Sequence, residues 1–219
     1  MVKPKGSTKR LKQLAPAARP DQETRGRILD AADRVFIRKG TASTRTQEIA
    51  DEAGVNKALA HYYFGTTAVL ADAIFARALG TLVPRIFGIL ADPNRSIEQK
   101  VPAIVKEQID FHTARPYLAG YMITELHAHP ERIARMMTAH GRIPLDVLRR
   151  QLQEGARAGK LRRIAPEQFV ASMMGLLLFP FAIRAALCEL LGLDADRWQA
   201  FLEERRRMLP DFVMAGLRP

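Results

Sequence analysis

Cysteine is almost missing from this chain of 219 residues, where Cys188 stands alone. That excludes an internal disulfide framework and suits a reducing compartment. Acidic side chains are also in deficit, with 23 Asp and Glu against 34 Lys and Arg, a net charge of +11. Such an imbalance favours a polyanionic partner, either nucleic acid or an anionic membrane surface, without choosing between them. Long apolar runs are lacking. The longest, 169–183, covers 15 residues and is broken by Ser172, Gly175 and Pro180, short of the roughly 20 needed to span a bilayer. The N-terminus has no apolar core of a signal peptide, so a soluble, cytoplasmic protein without a membrane partner is expected. Runs of period two are missing as well, so strands are not expected. No G-x-G-x-x-G, Walker A or zinc-hydrolase pattern occurs, and Cys188 has no flanking histidine. Neither an enzyme nor a cofactor is therefore expected. His127 and His129 stand two residues apart, which points them to different faces of a helix and argues against a metal site.

What is present is basic charge at one end and helical periodicity everywhere else. Residues 1–22 carry a net +5 with no apolar period, which reads as a flexible basic arm over 1–21. From Thr24 the pattern turns helical, with Ile28, Ala31, Ala32, Val35 and Phe36 on one face and Gly40 as the stop. Thr44 with Gln47 reads as a capping box opening a short helix that ends at Gly54. Asn56 caps the next helix, which ends at Phe64 and Gly65, and Thr66 or Thr67 caps the one after. Further helices are expected over 67–90, 96–113, 116–128, 130–158, 166–190 and 195–216. Pro84, Pro144, Pro180 and Pro210 should each mark a kink or break. The fold class is all-α.

Two short helices joined by a tight turn behind a longer amphipathic one make a helix-turn-helix, with the motif at about 45–64. On the second short helix a 100° wheel turns Ala60, Tyr63 and Phe64 inward. It turns Lys57, Ala58, His61 and Tyr62 outward, with Leu59 at the margin. Lys57 can donate to guanine or phosphate and Ala58 can meet a thymine methyl, while His61 and Tyr62 can donate to phosphates.

The stretches ILDAADRVFIRKG and EIADEAGVNKALAHYYF resemble the TetR family of bacterial transcriptional repressors over about residues 22–82. The resemblance implies a homodimer whose N-terminal domains (22–82) bind a palindromic operator in double-stranded DNA. It implies a C-terminal domain (83–219) that dimerises and holds a small-molecule inducer. By motif position, Thr44, Arg45, Thr46, Lys57, Ala58, Leu59, His61, Tyr62 and Tyr63 would approach DNA. Three positions depart from the family pattern: Thr66-Thr67-Ala68 replaces the usual Ser-Lys-Glu, Ala60 replaces a larger apolar residue, and Thr41 replaces an aromatic or large apolar one. A ligand-released repressor is the first expectation. A regulator without an effector, or an activator, fits the same residues.

In the C-terminal part, 166–190 is apolar on nearly all faces, and the last helix carries Trp198, Phe201, Leu202, Met208, Leu209, Phe212 and Val213 on a helical period. Paired across a two-fold axis, these last two long helices would form a four-helix dimer interface. Phe111, His112, Tyr117, Tyr121, Met122, Glu125, Met136, Met137, Met173, Met174 and Phe179 could line an apolar effector pocket, or serve as ordinary core.

Overall fold

The computed structural model describes residues 20–219, and all regular structure among them is helical. Most of the basic arm expected over 1–21 lies outside the described residues. The order is α1 (Pro20–Lys39), α2 (Thr46–Ala53), α3 (Lys57–Phe64), α4 (Thr67–Ala91), α5 (Ile97–Ala114), α6 (Tyr117–Ala128), α7 (Pro130–Thr138), α8 (Leu145–Arg157), α9 (Pro166–Ala182), α10 (Arg184–Leu191) and α11 (Ala195–Leu217).

The first helices assemble from local chemistry. Ile28, Ala31, Ala32, Val35 and Phe36 of α1 are buried against Ile49 and Ala53 of α2, Phe64 of α3 and Leu70 and Ile74 of α4. Gly54 adopts φ 65° and closes α2, a conformation that a Cβ would strain. The Arg27 guanidinium donates to the Ala53 carbonyl at 2.8 Å, satisfying one of the free acceptors at that helix end. Asn56 Oδ1 accepts from the Leu59 amide at 2.7 Å and caps α3, and the Thr66 hydroxyl accepts from the Val69 amide at 3.3 Å and caps α4.

Four expectations need correction. The first helix begins at Pro20 rather than Thr24. The cap of α2 sits one residue later than expected: Arg45 is the N-cap, and its amide donates to Glu48 at 3.3 Å. Thr44 is buried with its hydroxyl donated to the Gly40 carbonyl at 2.7 Å, while Gln47 turns to Asp51. The expected helix 130–158 is two, α7 and α8, parted by a turn in which Gly141 has φ 113° and Pro144 precedes α8. The expected helix 166–190 is also two, α9 and α10, bent by 74° at Ile183.

Pro180 lies inside α9, three residues before that break. Pro180 has no N–H, so the Leu176 carbonyl loses its partner one turn along α9. Arg205 of α11 donates to that carbonyl instead. Pro84 and Pro210 are accommodated inside continuous helices.

α4 connects the two halves. Its first turns lie in the N-terminal core, and Leu90 at its far end joins a second core built on α5, α8, α9 and α11, where Val101, Ile109, Leu152, Phe169, Trp198 and Leu202 are buried. α4 is long and apolar enough to cross a membrane by length and composition alone, which counting uninterrupted apolar residues did not reveal. Its Leu70, Ile74, Leu79 and Val83 are buried against the protein. Lys100 of α5 is fully buried there. Its Nζ donates to the Leu90 carbonyl at 2.6 Å and to Gln151 Oε1 at 2.7 Å, tying the ends of α4, α5 and α8 together. Desolvation lowers the pKa of this ammonium.

Candidate nucleic-acid interface and internal cavity

α2 and α3 share a surface whose charge is set by how α2 uses its acids. Glu52 is paired with Arg34 and Arg38, both at 2.7 Å, and Glu48 with Lys39 at 2.6 Å. All three cations belong to α1. Hydrogen bonds from Arg34 and Arg38 to Glu52, and from Lys39 to Glu48, lower both carboxyl pKa values. Two of the three acids of α2 are thus neutralised from the α1 side, while the exposed Asp51 accepts from Gln47. Among the described residues, no acidic side chain pairs with Arg45 at the start of α2 or Lys57 at the start of α3. Both are exposed.

Along α3 the exposed residues are Lys57, Ala58, His61 and Tyr62, while Ala60 and Phe64 are buried and Leu59 is half-buried. Tyr62 projects furthest, with 81% of its surface exposed. It rests edge-on against Tyr63, ring centroids 5.3 Å apart. Tyr63 packs on the N-terminal core, and its hydroxyl donates to Asp21 of α1 at 3.0 Å. That hydrogen bond raises the phenol pKa. Phe64 lies under the Arg25 guanidinium, 5.1 Å from the ring centre. Thr46 is half-buried, and its hydroxyl meets that of Thr67 at 3.3 Å. Thr44, expected on this surface, is buried and turned away from it. The remaining face is a short helix with exposed cationic, aromatic and small groups and a first turn capped by Asn56. It is suited to enter a groove and to donate to phosphate.

The second feature is a cavity of about 100 Å³. Its wall is drawn mainly from α4 (Phe75, Leu79, Leu82, Val83, Ile86, Phe87), with α5, α6, α7 and α9 completing it. Phe111, His112, Met122, Met137 and Met174 line it as expected from the sequence, and Gln108 joins them. The α4 residues were missed. A helix apolar over most of its surface gives no sign of which stripe faces a void.

Six expected pocket residues lie elsewhere. Met173 lines a smaller adjoining void of about 50 Å³. Phe179 is 57% exposed on α9. Met136 packs half-buried beside Ile133 and Leu118. Tyr117, Tyr121 and Glu125 stand where the two halves of the molecule meet. The Tyr117 hydroxyl donates to Asp33 of α1 at 2.6 Å, and Arg115 Nε donates to the same carboxylate at 3.0 Å. The Tyr121 hydroxyl donates to Asp72 of α4, which also pairs with Arg132; Arg132 in turn lies 3.0 Å from Glu125. Burial, then the hydrogen bond to a carboxylate, raises both tyrosine pKa values. The rings pack edge-on against Phe36 and Phe75, at 5.7 and 5.5 Å.

A family model described as bacterial regulatory proteins of the tetR family matches residues 28–74. That span runs from α1 through α2 and α3 into α4 and includes the whole exposed face just described. The N-terminal part of the chain is thus similar to the TetR family. The HTH-type transcriptional repressor SCO4008 of Streptomyces coelicolor is 29% identical over 109 residues, 50% of this chain and 53% of that protein. The chain spans about half the length of several curated relatives it matches. The repressor NicS of Pseudomonas putida is 25% identical over 216 residues, 92% of this chain and 95% of the relative. Among solved structures, a TetR/AcrR family regulator from Thermobifida fusca superposes with a TM-score of 0.60 at 22% identity, covering 90% of this chain and all of the other. That match places the TetR fold across both halves.

Proposed function

We propose that this chain is a TetR-family DNA-binding transcriptional regulator, acting in the cytoplasm as a homodimeric repressor that a small molecule releases from a palindromic operator. The observation that carries the reading is the exposed α3 face of Lys57, Ala58, His61 and Tyr62, beside an α2 whose Glu48 and Glu52 are neutralised by α1. Arg45 and Thr46 extend that face at the α2 N-terminus, Leu59 borders it, and Tyr63 supports Tyr62 from below. Residues 22–82 form the DNA-binding part and 83–219 the effector and dimerisation part, with α4 continuous across the boundary. Support for repression comes from three relatives named as repressors, while another is named an activator.

Dimerisation uses α9 and α11, which leave Phe179 and Phe212 each 57% exposed and Met208 exposed beside them. Large apolar groups in open solvent mark an interaction surface. The effector occupies the cavity along α4. Binding favours a conformation whose two DNA heads no longer match half-sites about 34 Å apart. The α6 tyrosines transmit the change, because they hold Asp33 of α1 and Asp72 of α4.

Footprinting on the intergenic DNA beside the protein's own gene tests this. A protected palindrome, with affinity falling steeply as salt rises, is the expected result. Salt-sensitive binding without any protected site would overturn the reading.

A further inference from the structure

We propose that the cavity along α4 takes a small, uncharged aromatic molecule with a single hydroxyl, of the phenol class, and that His112 recognises the hydroxyl. The proposal rests on the reading of this cavity as the effector site. Its volume of about 100 Å³ limits the ligand to one ring, since an apolar cavity of roughly 150 Å³ accepts benzene. The flexible side chains of Met122, Met137 and Met174 on the wall can yield the remaining space.

The wall contains no Lys, Arg, Asp or Glu. A carboxylate or ammonium entering it would lose its hydration and find no counter-charge. The rings of Phe75, Phe87 and Phe111, together with the three methionine sulfurs, offer the edge-on and sulfur contacts that favour an aromatic guest.

One polar group on this wall is both buried and unspent. His112 is 3% exposed, and its Nδ1 has no hydrogen-bond partner in the protein. Its ring lies between Phe111, at 5.2 Å, and Phe181, at 5.1 Å. Burial keeps the imidazole neutral, so it presents one donor and one bare acceptor. A phenol hydroxyl can serve either nitrogen, as donor to the bare one or acceptor from the protonated one. Gln108 lies one turn earlier on the same face of α5 and lines the cavity too. The polar end of the ligand thus lies toward α5, and its ring lies against α4.

Calorimetric titration of the full-length protein with phenol, toluene and benzoate tests the assignment. Phenol and toluene have nearly the same shape, so their affinity ratio isolates the hydroxyl. Saturable binding of phenol is expected, with no binding of benzoate at pH 7. His112→Phe should lower the phenol-to-toluene ratio about tenfold while toluene still binds. In the unaltered protein, phenol but not toluene should move the ring ¹⁵N resonances of His112. An unchanged ratio, unmoved resonances, benzoate binding as tightly as phenol, or no phenol binding would each overturn the proposal. Measuring operator affinity in the same samples separates the two ideas. Phenol bound through His112 without loss of DNA affinity upholds the ligand class and removes the effector role. Release of DNA by toluene or benzoate as readily as by phenol upholds the effector role and overturns the ligand class.

Discussion

Tyr117 donates its hydroxyl hydrogen to Asp33, 84 positions earlier in the chain, across 2.6 Å. The bond crosses from the start of α6 to α1 in the N-terminal half. Arg115 shares the same carboxylate at 3.0 Å, and Asp33 is buried. Tyr117→Phe keeps the ring against Phe36 and removes only the hydrogen bond, so it should cost about 1–2 kcal/mol of stability in urea denaturation. Arg115→Ala takes away the nearer of two cations at this carboxylate and leaves Arg77 at 3.8 Å, so it should cost about 1–3 kcal/mol. If α6 transmits the ligand signal, Tyr117→Phe also reduces the drop in DNA affinity that a bound effector causes. An unaltered drop would confine this pair to a structural role.

Pro180 and Arg205 form a second dependent pair. The proline deprives the Leu176 carbonyl of its helical donor, and the arginine replaces that donor from α11. Arg205→Met should destabilise the protein by about 1–3 kcal/mol, the cost of a carbonyl left without a partner. In a Pro180→Ala background the restored amide can serve Leu176, and the same Arg205→Met change should cost less. A double-mutant cycle in urea reads the difference directly. Additive costs would mean that the arginine contributes through its packing on Phe201 instead.

The parts of this architecture that were legible in the sequence are those written locally. Apolar period, the cap at Asn56 and the positive-φ glycine at Gly54 place α1 to α3 within a few residues and assign Lys57, Ala58, His61 and Tyr62 to the exposed face. The cap of α2 slipped by one because Thr44 and Arg45 compete for the same role, and Glu48 answers the Arg45 amide where Gln47 could have answered Thr44. The cavity was half legible. Phe111 and His112 of α5 were named from the sequence but Gln108 was not, and α4 is apolar over most of its surface and hides the stripe that faces the void. Tyr117 and Tyr121 resemble pocket residues in composition, but they bind carboxylates 84 and 49 positions away. No local pattern carries such a pairing.

His112 should make stability depend on pH. Burial lowers its pKa from 6.5 to about 4, so between these values the unfolded chain binds a proton that the folded chain refuses. Stability is therefore greatest above pH 6.5, falls as the pH drops toward 4, and gains no further loss from this group below that. The contribution is about 3 kcal/mol. Urea midpoints measured between pH 7 and pH 4 should fall more steeply for the unaltered protein than for His112→Phe. Parallel curves would mean that the imidazole accepts a proton in the folded state.

The α9 and α11 surface predicts its own disruption. Phe179 and Phe212 are large, apolar and more than half exposed. A glutamate at either position would carry two copies of an uncompensated charge into a symmetric contact. Phe179→Glu and Phe212→Glu should each convert the dimer to monomer in analytical ultracentrifugation at micromolar concentration. The helical circular-dichroism signal should stay unchanged, because neither ring is needed by the monomer core. Dimers that survive both changes would move the interface to another face, with the exposed Leu190 and Leu191 of α10 next in line.

Lys57 and Thr44 separate contact from support in the DNA-binding half. Both were expected to approach DNA, yet Lys57 is exposed at the head of α3 while Thr44 is buried and bonded to the Gly40 carbonyl. If Lys57 meets a phosphate, Lys57→Ala lowers the slope of log K against log salt by about 0.9 per subunit and weakens all sequences alike. If it meets a guanine, the loss instead concentrates at one operator position, about 1–3 kcal/mol there. Thr44→Val should leave the slope and the sequence preference as they are. Its effect falls on stability, about 1 kcal/mol, because the turn between α1 and α2 loses one hydrogen bond. Salt titrations of both variants on one operator, with urea curves alongside, separate the two roles. A changed salt slope in Thr44→Val would return that residue to the DNA surface.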